Sequence, residues 1–336
     1  MKRLNCIVLA KIIFVAIVVF RTIYMATIKL GRSSSSLDKH VVYEAEFLPI
    51  KSQRQILDEQ IASYPRRPPN LFNVRSIDES KLPYQCGIIF FYHIACTGGS
   101  AINKWLVRLK KLNANTTYFT DWGRHMGVQQ RFVTKMEKQV KDFGQHDWRI
   151  VHAHGFSLHL NTSEPYLYKW REEVERQGCA FVATTMLQDA IGHTISQHKG
   201  MILYNQTVYK FTEYLEPRNY NKVGNFRTQL DYFLYNGDRN KYNATTIEKV
   251  RRAIEILRRH FDIVLLSDHD RYNDIIFKIT GWIGKSIRRS NTFKGELNFT
   301  ERELYRIKTL TEMNGDVMFI DAVKHIYYGY LDYLVA

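Results

Sequence analysis

The feature that most constrains this fold is a regular alternation, from Gly87 onward, of short apolar runs with longer amphipathic stretches. The runs rich in β-branched and aromatic residues predict strands at 87–93, 149–154, 180–186 and 261–266. The longer stretches predict helices near 99–111, 127–143, 164–177, 189–203, 245–260, 270–282, 301–313 and 316–334. Because strands that alternate with helices form βαβ crossovers, the pattern predicts an α/β three-layer sandwich with a mostly parallel central sheet.

Such a sheet also predicts where function lies, because its ligands bind at the carboxyl ends of the strands. Three polar segments follow predicted strands: His93 onward, His152 to His154, and Thr185 onward. A chain of 336 residues without an internal repeat is expected to form one main domain, here 84–336.

The N-terminus predicts a membrane anchor. Residues 7–28 form a 22-residue apolar stretch in which only Lys11 and Arg21 are charged, long enough to cross a hydrocarbon core of about 30 Å. We expect a signal anchor there, with 1–6 as a cytoplasmic tail and 29–83 as a stem. A cleavable signal peptide is the alternative, although small residues for cleavage are poorly placed after Phe20.

The net charge of +15 favours an anionic partner. Nucleic acid, a membrane surface, nucleotide phosphates and an acidic polysaccharide all meet that condition. An anchored chain makes nucleic acid the least favoured of these.

The four cysteines are too few for a disulfide scaffold, and no CxxC pair indicates zinc. Cys86 and Cys179 each stand at the entrance of an apolar run. They could bridge if the two strands are neighbours in an oxidising lumen, which would leave Cys96 as a thiol.

Sequons for N-glycosylation matter only if the chain enters that lumen. The five sequons begin at Asn115, Asn161, Asn205, Asn243 and Asn298. Two of them have an alternative explanation, because Thr245 and Thr300 are also typical helix N-caps, each followed by a glutamate three residues on.

The segment "HIACTGGSA" after the first strand predicts an anion-binding turn. Its two glycines let the backbone approach a phosphate, and the turn opens a helix whose first N–H groups attract anions. It lacks the Gly-Lys pair of a Walker A motif, which argues against an ordinary ATP-dependent kinase or ATPase.

With its preceding anchor and stem, this segment resembles the Golgi-resident carbohydrate sulfotransferases, in particular the heparan sulfate 2-O and galactose 3-O types. Their loop typically reads H-x-x-K-T-G-G-T and binds the 5'-phosphosulfate of the donor PAPS. Thr97, Gly98, Gly99 and Ser100 match it, whereas Cys96 takes the place of the lysine. The resemblance implies a sulfotransferase fold similar to P-loop NTPases, with these five residues at the cofactor.

A second family element, R-D-P-x-x-R-x-x-S, grips the 3'-phosphate of the cofactor. Here Asp189 and Ser196 keep their spacing, while Gln188 and His193 stand in place of the two arginines. The resemblance assigns Gln188 and Ser196 to the cofactor, although each lost arginine removes a charge-assisted contact.

Two further elements complete the resemblance, which covers about 86–330. "RIVHAHGF" is similar to the strand end in which a histidine is the general base, and it implies His152 as base with His154 in support. "SIRRSNTFKG" looks like the basic loop that closes over the phosphoadenosine. Its candidate cofactor residues are Arg288, Arg289, Ser290 and Lys294.

Two hypotheses follow. The first is a single-pass type II Golgi membrane enzyme that transfers a sulfuryl group from PAPS, without a metal, to a hydroxyl of an anionic or neutral glycan. Lys104, one helical turn beyond the glycine loop, could supply a missing cation, although a surface role is more usual for such a residue. The second is a catalytically degenerate relative that binds a glycan or a protein partner.

Overall fold

In a computed structural model of the chain, all described residues lie in one compact unit, Ile50–Ala336. The structure describes residues 79–113, 115–121, 128–144, 146–155, 158–203, 228–234, 245–266, 269–287, 299–313 and 315–328, together with 55 and 59. The predicted tail, anchor and most of the predicted stem lie outside these residues. No helix within the described part is long and apolar enough to cross a membrane.

The centre of the domain is a parallel sheet of five strands in the order β2-β3-β1-β4-β5. The strands are β1 (Gly87–His93), β2 (Thr116–Asp121), β3 (Trp148–His154), β4 (Ala180–Leu187) and β5 (Ile263–Leu266). All seven residues of β1 and all eight of β4 are buried, as expected for strands covered on both faces. The predicted parallel α/β sheet is therefore confirmed.

Helices cover both faces of the sheet. They are α1 (Gly99–Leu112), α2 (Val128–Gln139), α3 (Leu160–Arg176), α4 (Ala190–Leu203), α5 (Gln229–Leu234), α6 (Thr246–His260), α7 (His269–Thr280), α8 (Glu301–Met313) and α9 (Asp316–Val323). On one face, α1 and α7 pack against β1 through residues such as Trp105 and Ile276. On the other, α2, α3, α5, α6 and α9 form a second core around residues such as Trp170 and Phe319.

Two helices begin as the sequence predicts. Glu248 donates its backbone N–H to the Thr245 hydroxyl at the start of α6, and its carboxylate accepts the Thr245 N–H in return. Thr300 and Glu303 make the same reciprocal pair before α8. Each pair satisfies N–H groups that the first turn of a helix leaves unbonded.

The structure differs from the predicted elements in several places. Among the predicted helices, α2 ends at Gln139 rather than at residue 143, and α3 begins at Leu160 rather than at residue 164. The strand Thr116–Asp121 and the short helix Gln229–Leu234 are additional. The last strand starts at Ile263 rather than at residue 261, because Phe261 caps the preceding helix. The predicted helix 316–334 is α-helical from Asp316 to Val323 and continues as one π-helical turn, Lys324–Tyr328. The rest of this prediction, 329–334, lies outside the described residues.

Cys86 and Cys179 form a disulfide at the amino ends of β1 and β4. These strands are neighbours in the sheet, with Gly87 opposite Ala180, so the geometric part of the condition set by the sequence is met. A disulfide of this kind is typical of proteins that mature in an oxidising compartment.

Candidate functional site

The candidate site lies at the carboxyl edge of the sheet, around the end of the central strand β1. From this edge, α1 leaves to one face of the sheet, whereas α4 packs against α9, which belongs to the core of the other face. Where neighbouring strands send their helices to opposite faces, a crevice opens between the loops, and ligands of such folds bind there.

The glycine turn is held by its own hydrogen bonds. The buried Thr97 hydroxyl donates to the Ile94 carbonyl at 2.9 Å, and Ala101 N donates to Gly98 O at 2.9 Å. Gly98 has φ 91°, a left-handed conformation that glycine adopts without strain. Thr97 therefore shapes the turn, since its single hydroxyl proton is already donated within it.

The absence of a side chain at Gly99 leaves room for the imidazole of His93. A β-carbon at Gly99 would stand 2.1 Å from Cδ2 and 2.4 Å from Nε2 of His93, far inside contact distance. The start of α1 therefore rests directly on the His93 imidazole. This contact joins the anion-binding turn to the histidines of β1 and β3.

Cys96 occupies the position at which the resembling family has lysine. Its backbone has φ 68°, its side chain is partly buried, and burial raises the pKa of its thiol to about 11. At neutral pH Cys96 is thus a neutral thiol. It contributes neither the positive charge of a lysine nor the negative charge of a thiolate.

The turn is in contact with α4 through His193. The His193 Nε2 lies 3.1 Å from the Ala95 carbonyl, to which it donates, and burial lowers the pKa of His193 to about 4. Cys96 Sγ also approaches the same helix, 3.5 Å from where a β-carbon on Gly200 would stand. The two segments that the sequence assigns to the cofactor therefore lie side by side. His193 joins them as a buried neutral ring that holds the turn through the Ala95 carbonyl.

Gln188 and Ser196 have half-exposed side chains, and the Gln188 amide nitrogen is 3.4 Å from the Ser196 hydroxyl. Asp189 instead starts α4, because its carboxylate accepts the Gly192 N–H at 2.6 Å. Ser100 is half-exposed in the first turn of α1. The polar atoms of Gln188 and Ser196 are thus near each other, at the end of β4 and on the helix that follows it. Their role at a phosphate stays a prediction.

Asp316 is a buried carboxyl group that lies near His193, on the α4 side of the turn. Asp316 accepts the N–H groups of Gln229 and Leu230, each at 3.1 Å, and its Oδ2 lies 3.9 Å from His193 Nδ1. Burial raises the pKa of Asp316 to about 7, with a smaller contribution from Asp231. Sequence reasoning missed Asp316, since nothing in the local pattern links it to residues more than a hundred positions earlier.

Three histidines cluster on the β3 side of the turn. His93 Nδ1 lies 3.0 Å from His152 Nε2, and His152 Nδ1 lies 3.0 Å from the Thr120 hydroxyl. His154 packs edge-on against the His93 ring, with centroids 4.9 Å apart. The predicted pair His152 and His154 is therefore part of a larger set that includes His93. The sequence placed His93 at the carboxyl end of the first strand, but the register that sets it opposite His154 is known only from the structure.

Burial distinguishes these histidines. His152 is fully buried with both ring nitrogens hydrogen-bonded, and burial lowers its pKa to about 3, with His154 adding to the effect. Burial and the two neighbouring histidines hold the pKa of His93 well below its ordinary value. His154 has the largest exposed fraction of the three, 8 %. It is thus better placed than His152 to meet a ligand at the carboxyl edge.

Several predicted site residues lie outside the described part of the chain. They are Arg288, Arg289, Ser290 and Lys294. Lys104 is described and exposed on α1. Within the described residues, no group of three or more His, Cys, Asp or Glu side chains has the arrangement of a metal site.

Comparisons with known proteins add little to this description. No family model matches the chain, and no similar curated protein was found. Among solved structures, it is similar to a sulfotransferase from Alicyclobacillus acidocaldarius, with 9% identity and a TM-score of 0.39, over 72% of this chain and 94% of that one. A similarity this weak carries no argument about activity. What the chain's own geometry defines is a doubly wound α/β protein with a glycine turn and a histidine cluster at one edge.

Proposed function

We propose that the chain is a sulfotransferase of the Golgi membrane, with one membrane span and a luminal domain that transfers a sulfuryl group from PAPS to a hydroxyl of a glycan. The observation that carries this proposal is the contact between the glycine turn and α4, through Ala95 and His193, beside the histidine cluster. It supports one crevice for a bis-phosphorylated nucleotide and a hydroxyl acceptor. The Cys86–Cys179 disulfide supports an oxidising compartment.

On the donor side, the residues fit an anion through backbone and neutral polar groups. The left-handed Gly98 and the N-terminus of α1 form the kind of turn that binds phosphate by N–H groups and the helix dipole. The Gln188 amide and the Ser196 hydroxyl are the proposed partners of the 3'-phosphate. When bound, PAPS would supply the sulfuryl group, and these residues would hold it in place.

Charge is the weak point of the donor side. Cys96, Gln188 and His193, the residues at positions where the resembling family has cations, are neutral in this structure. We propose that Arg288, Arg289 and Lys294 supply positive charge, with Ser290 as a further hydrogen-bond donor. A missing donor at a developing anion typically lowers the rate about 100- to 1,000-fold, so we expect a slow enzyme.

On the acceptor side, we propose His154 as the general base, a reversal of the order that the sequence favoured. An imidazole nitrogen of His154 would take the proton of the attacking hydroxyl. His93 and His152 would position that ring as neutral neighbours, because their lowered pKa values keep a second positive charge away from it.

The test is transfer of radiolabelled sulfate from PAPS to a panel of glycans, with wild type and two variants of Cys96. Cys96→Lys restores a cation at the turn, and we expect a rate gain on the order of 10-fold or more. Cys96→Met is the matched control, since it is of similar length but neutral, and it should give no gain. Absence of transfer by all three proteins, together with no binding of the desulfated cofactor PAP by calorimetry, would contradict the proposal.

A second function is favoured by the same neutral positions. A chain with Cys96 and Gln188 in place of cations, and with His152 sealed from solvent, has the features of a relative that retains the fold and binds a glycan or partner without catalysis. Binding to a glycan array distinguishes the two. A binding module retains its glycan after His154→Ala and does not bind PAP, whereas the enzyme binds PAP and loses transfer with that variant.

A further inference from the structure

Two of the five sequons fall within the described residues, and their surroundings differ. Asn115 lies in the turn between α1 and β2 with φ 62°, and its side chain is exposed. Thr117, whose hydroxyl completes the sequon, is exposed as well. An acceptor asparagine and its hydroxyl partner on a surface turn are the usual setting for an N-linked glycan.

Asn161, the acceptor of the other described sequon, lies in the first turn of α3 and is engaged in packing between helices. Its Oδ1 accepts a hydrogen bond from Arg252 Nε at 3.1 Å, and Arg252 also pairs with Glu164. Ser163, which completes this sequon, is fully buried and accepts a hydrogen bond from Gln129 at 3.0 Å. A glycan on Asn161 Nδ2 would have to fit beside the Arg252 side chain, which bonds to the Oδ1 of the same amide and links α3 to α6.

The position of Asn115 in the sheet is compatible with a large attachment. Its carbonyl accepts the N–H of Trp148, and Trp148 pairs with Gly87, next to the disulfide at the amino edge. The glycine turn and the histidines lie at the opposite, carboxyl edge. A glycan on Asn115 would therefore leave the crevice open and would shield the beginning of β2, an edge strand.

We propose that Asn115 carries an N-linked glycan and that Asn161 does not. In this modification, Asn115 Nδ2 forms a bond to the anomeric carbon of the first sugar and loses one proton, while the pyrophosphate of a lipid-linked oligosaccharide donor leaves. The proposal shares with the proposed function only the luminal location. Glycan attachment at Asn115 therefore can succeed even if sulfuryl transfer fails.

The experiment is expression of the full chain in cells with a eukaryotic secretory pathway, followed by enzymatic deglycosylation in heavy-oxygen water and peptide mass spectrometry. Each formerly glycosylated asparagine becomes an ¹⁸O-labelled aspartate. We expect label at Asn115 and none at Asn161. On a gel, Asn115→Gln should migrate faster than wild type by the mass of one glycan. Asn161→Gln should migrate as wild type does.

Matched variants test the hydroxyl residue separately from the asparagine. Thr117→Val should abolish modification at Asn115, Thr117→Ser should retain it, and Thr116→Val, at the middle position of the sequon, should leave it unaffected. Label at Asn205, Asn243 or Asn298 without label at Asn115 would overturn the structural argument, as would label at Asn161. A chain with none of the five sequons modified would overturn the luminal location on which the proposal depends.

Discussion

Buried histidines flank the glycine turn on both sides, and the two sides differ in their partners. Towards β3, His93 and His152 bond to each other and lie against His154. Towards α4, His193 lies near the carboxyl group of Asp316. Burial lowers the pKa of the histidines on both sides, but only the α4 side adds an acid whose pKa burial raises. The β3 side thus holds neutral imidazole rings, whereas the α4 side has two groups whose contributions to stability change with pH in opposite directions.

Among variants on the two sides of the turn, we expect the largest effect, a loss of transfer rate, from His154→Ala on the β3 side. If His154 is the general base, transfer should fall about 100- to 10,000-fold, because that is the usual contribution of a positioned base. Steady-state rates with saturating PAPS measure this loss, and PAP binding by calorimetry should be unchanged.

The control for this variant is His146→Ala. His146 is exposed just before β3, at the other end of the strand that carries His154, and its loss should leave the rate at the wild-type level. Equal rates for wild type and His154→Ala would remove the acceptor role from the β3 side.

Gly99→Ala is expected to have the next largest effect, on stability. The added methyl would enter the His93 ring, and overpacking of this kind typically lowers the free energy of unfolding by about 1–3 kcal/mol. Urea denaturation measures the change. His93→Ala in the same chain should recover part of it, since the ring that the methyl meets is then gone.

Gly200→Ala is the matched control on the α4 side of the turn. Among the described residues, a β-carbon there meets Cys96 Sγ alone, at 3.5 Å, an ordinary contact distance. Because alanine favours a helix interior over glycine, we expect this variant to be neutral or more stable by up to about 1 kcal/mol. A loss as large as that of Gly99→Ala would show that both sides of the turn are equally tight.

Asp316→Asn tests the opposing pH responses, and its effect is expected in the slope of stability with pH rather than in the stability at one pH value. His193, with a pKa of about 4 against an ordinary 6.5, loses its stabilising contribution as pH falls towards 4. Asp316, with a pKa of about 7 against 3.8, has the opposite slope, because its contribution is lost as pH rises through 7. The two responses offset each other between about pH 4 and pH 6.5 in the wild type.

Without the carboxyl, the unfolding free energy should fall more steeply on acidification, by up to about 1.4 kcal/mol per pH unit within that window. Urea midpoints at several pH values measure the slope. Asp321→Asn, on the same helix but half-exposed, should leave the slope unchanged. An unchanged slope in Asp316→Asn would show that Asp316 is ionised throughout the window.

The buried strands of the sheet were predictable because their apolar runs are continuous. The sequence missed β2 because it is a polar edge strand, in which buried Thr116 is followed by exposed Thr117. It missed α5 because six residues are too short for a helical period to be recognised.

In the candidate site, the sequence could predict only those neighbours that follow from the order of the strands. The proximity of the glycine turn to α4 follows from their place after neighbouring strands. The roles of His93 and Asp316 depend on contacts across the fold, through Gly99 and His193, which no local spacing encodes. For the same reason the sequence could not tell that His152 is sealed while His154 is not.

The bond between Cys86 and Cys179 has a mechanical consequence for the crevice. It covalently joins the amino ends of β1 and β4, and the carboxyl ends of these two strands lead into the glycine turn and Gln188. These strands cannot separate at their base to admit a bulky ligand. Any widening must therefore come from the rim, by rearrangement of side chains and loops at the strand tips.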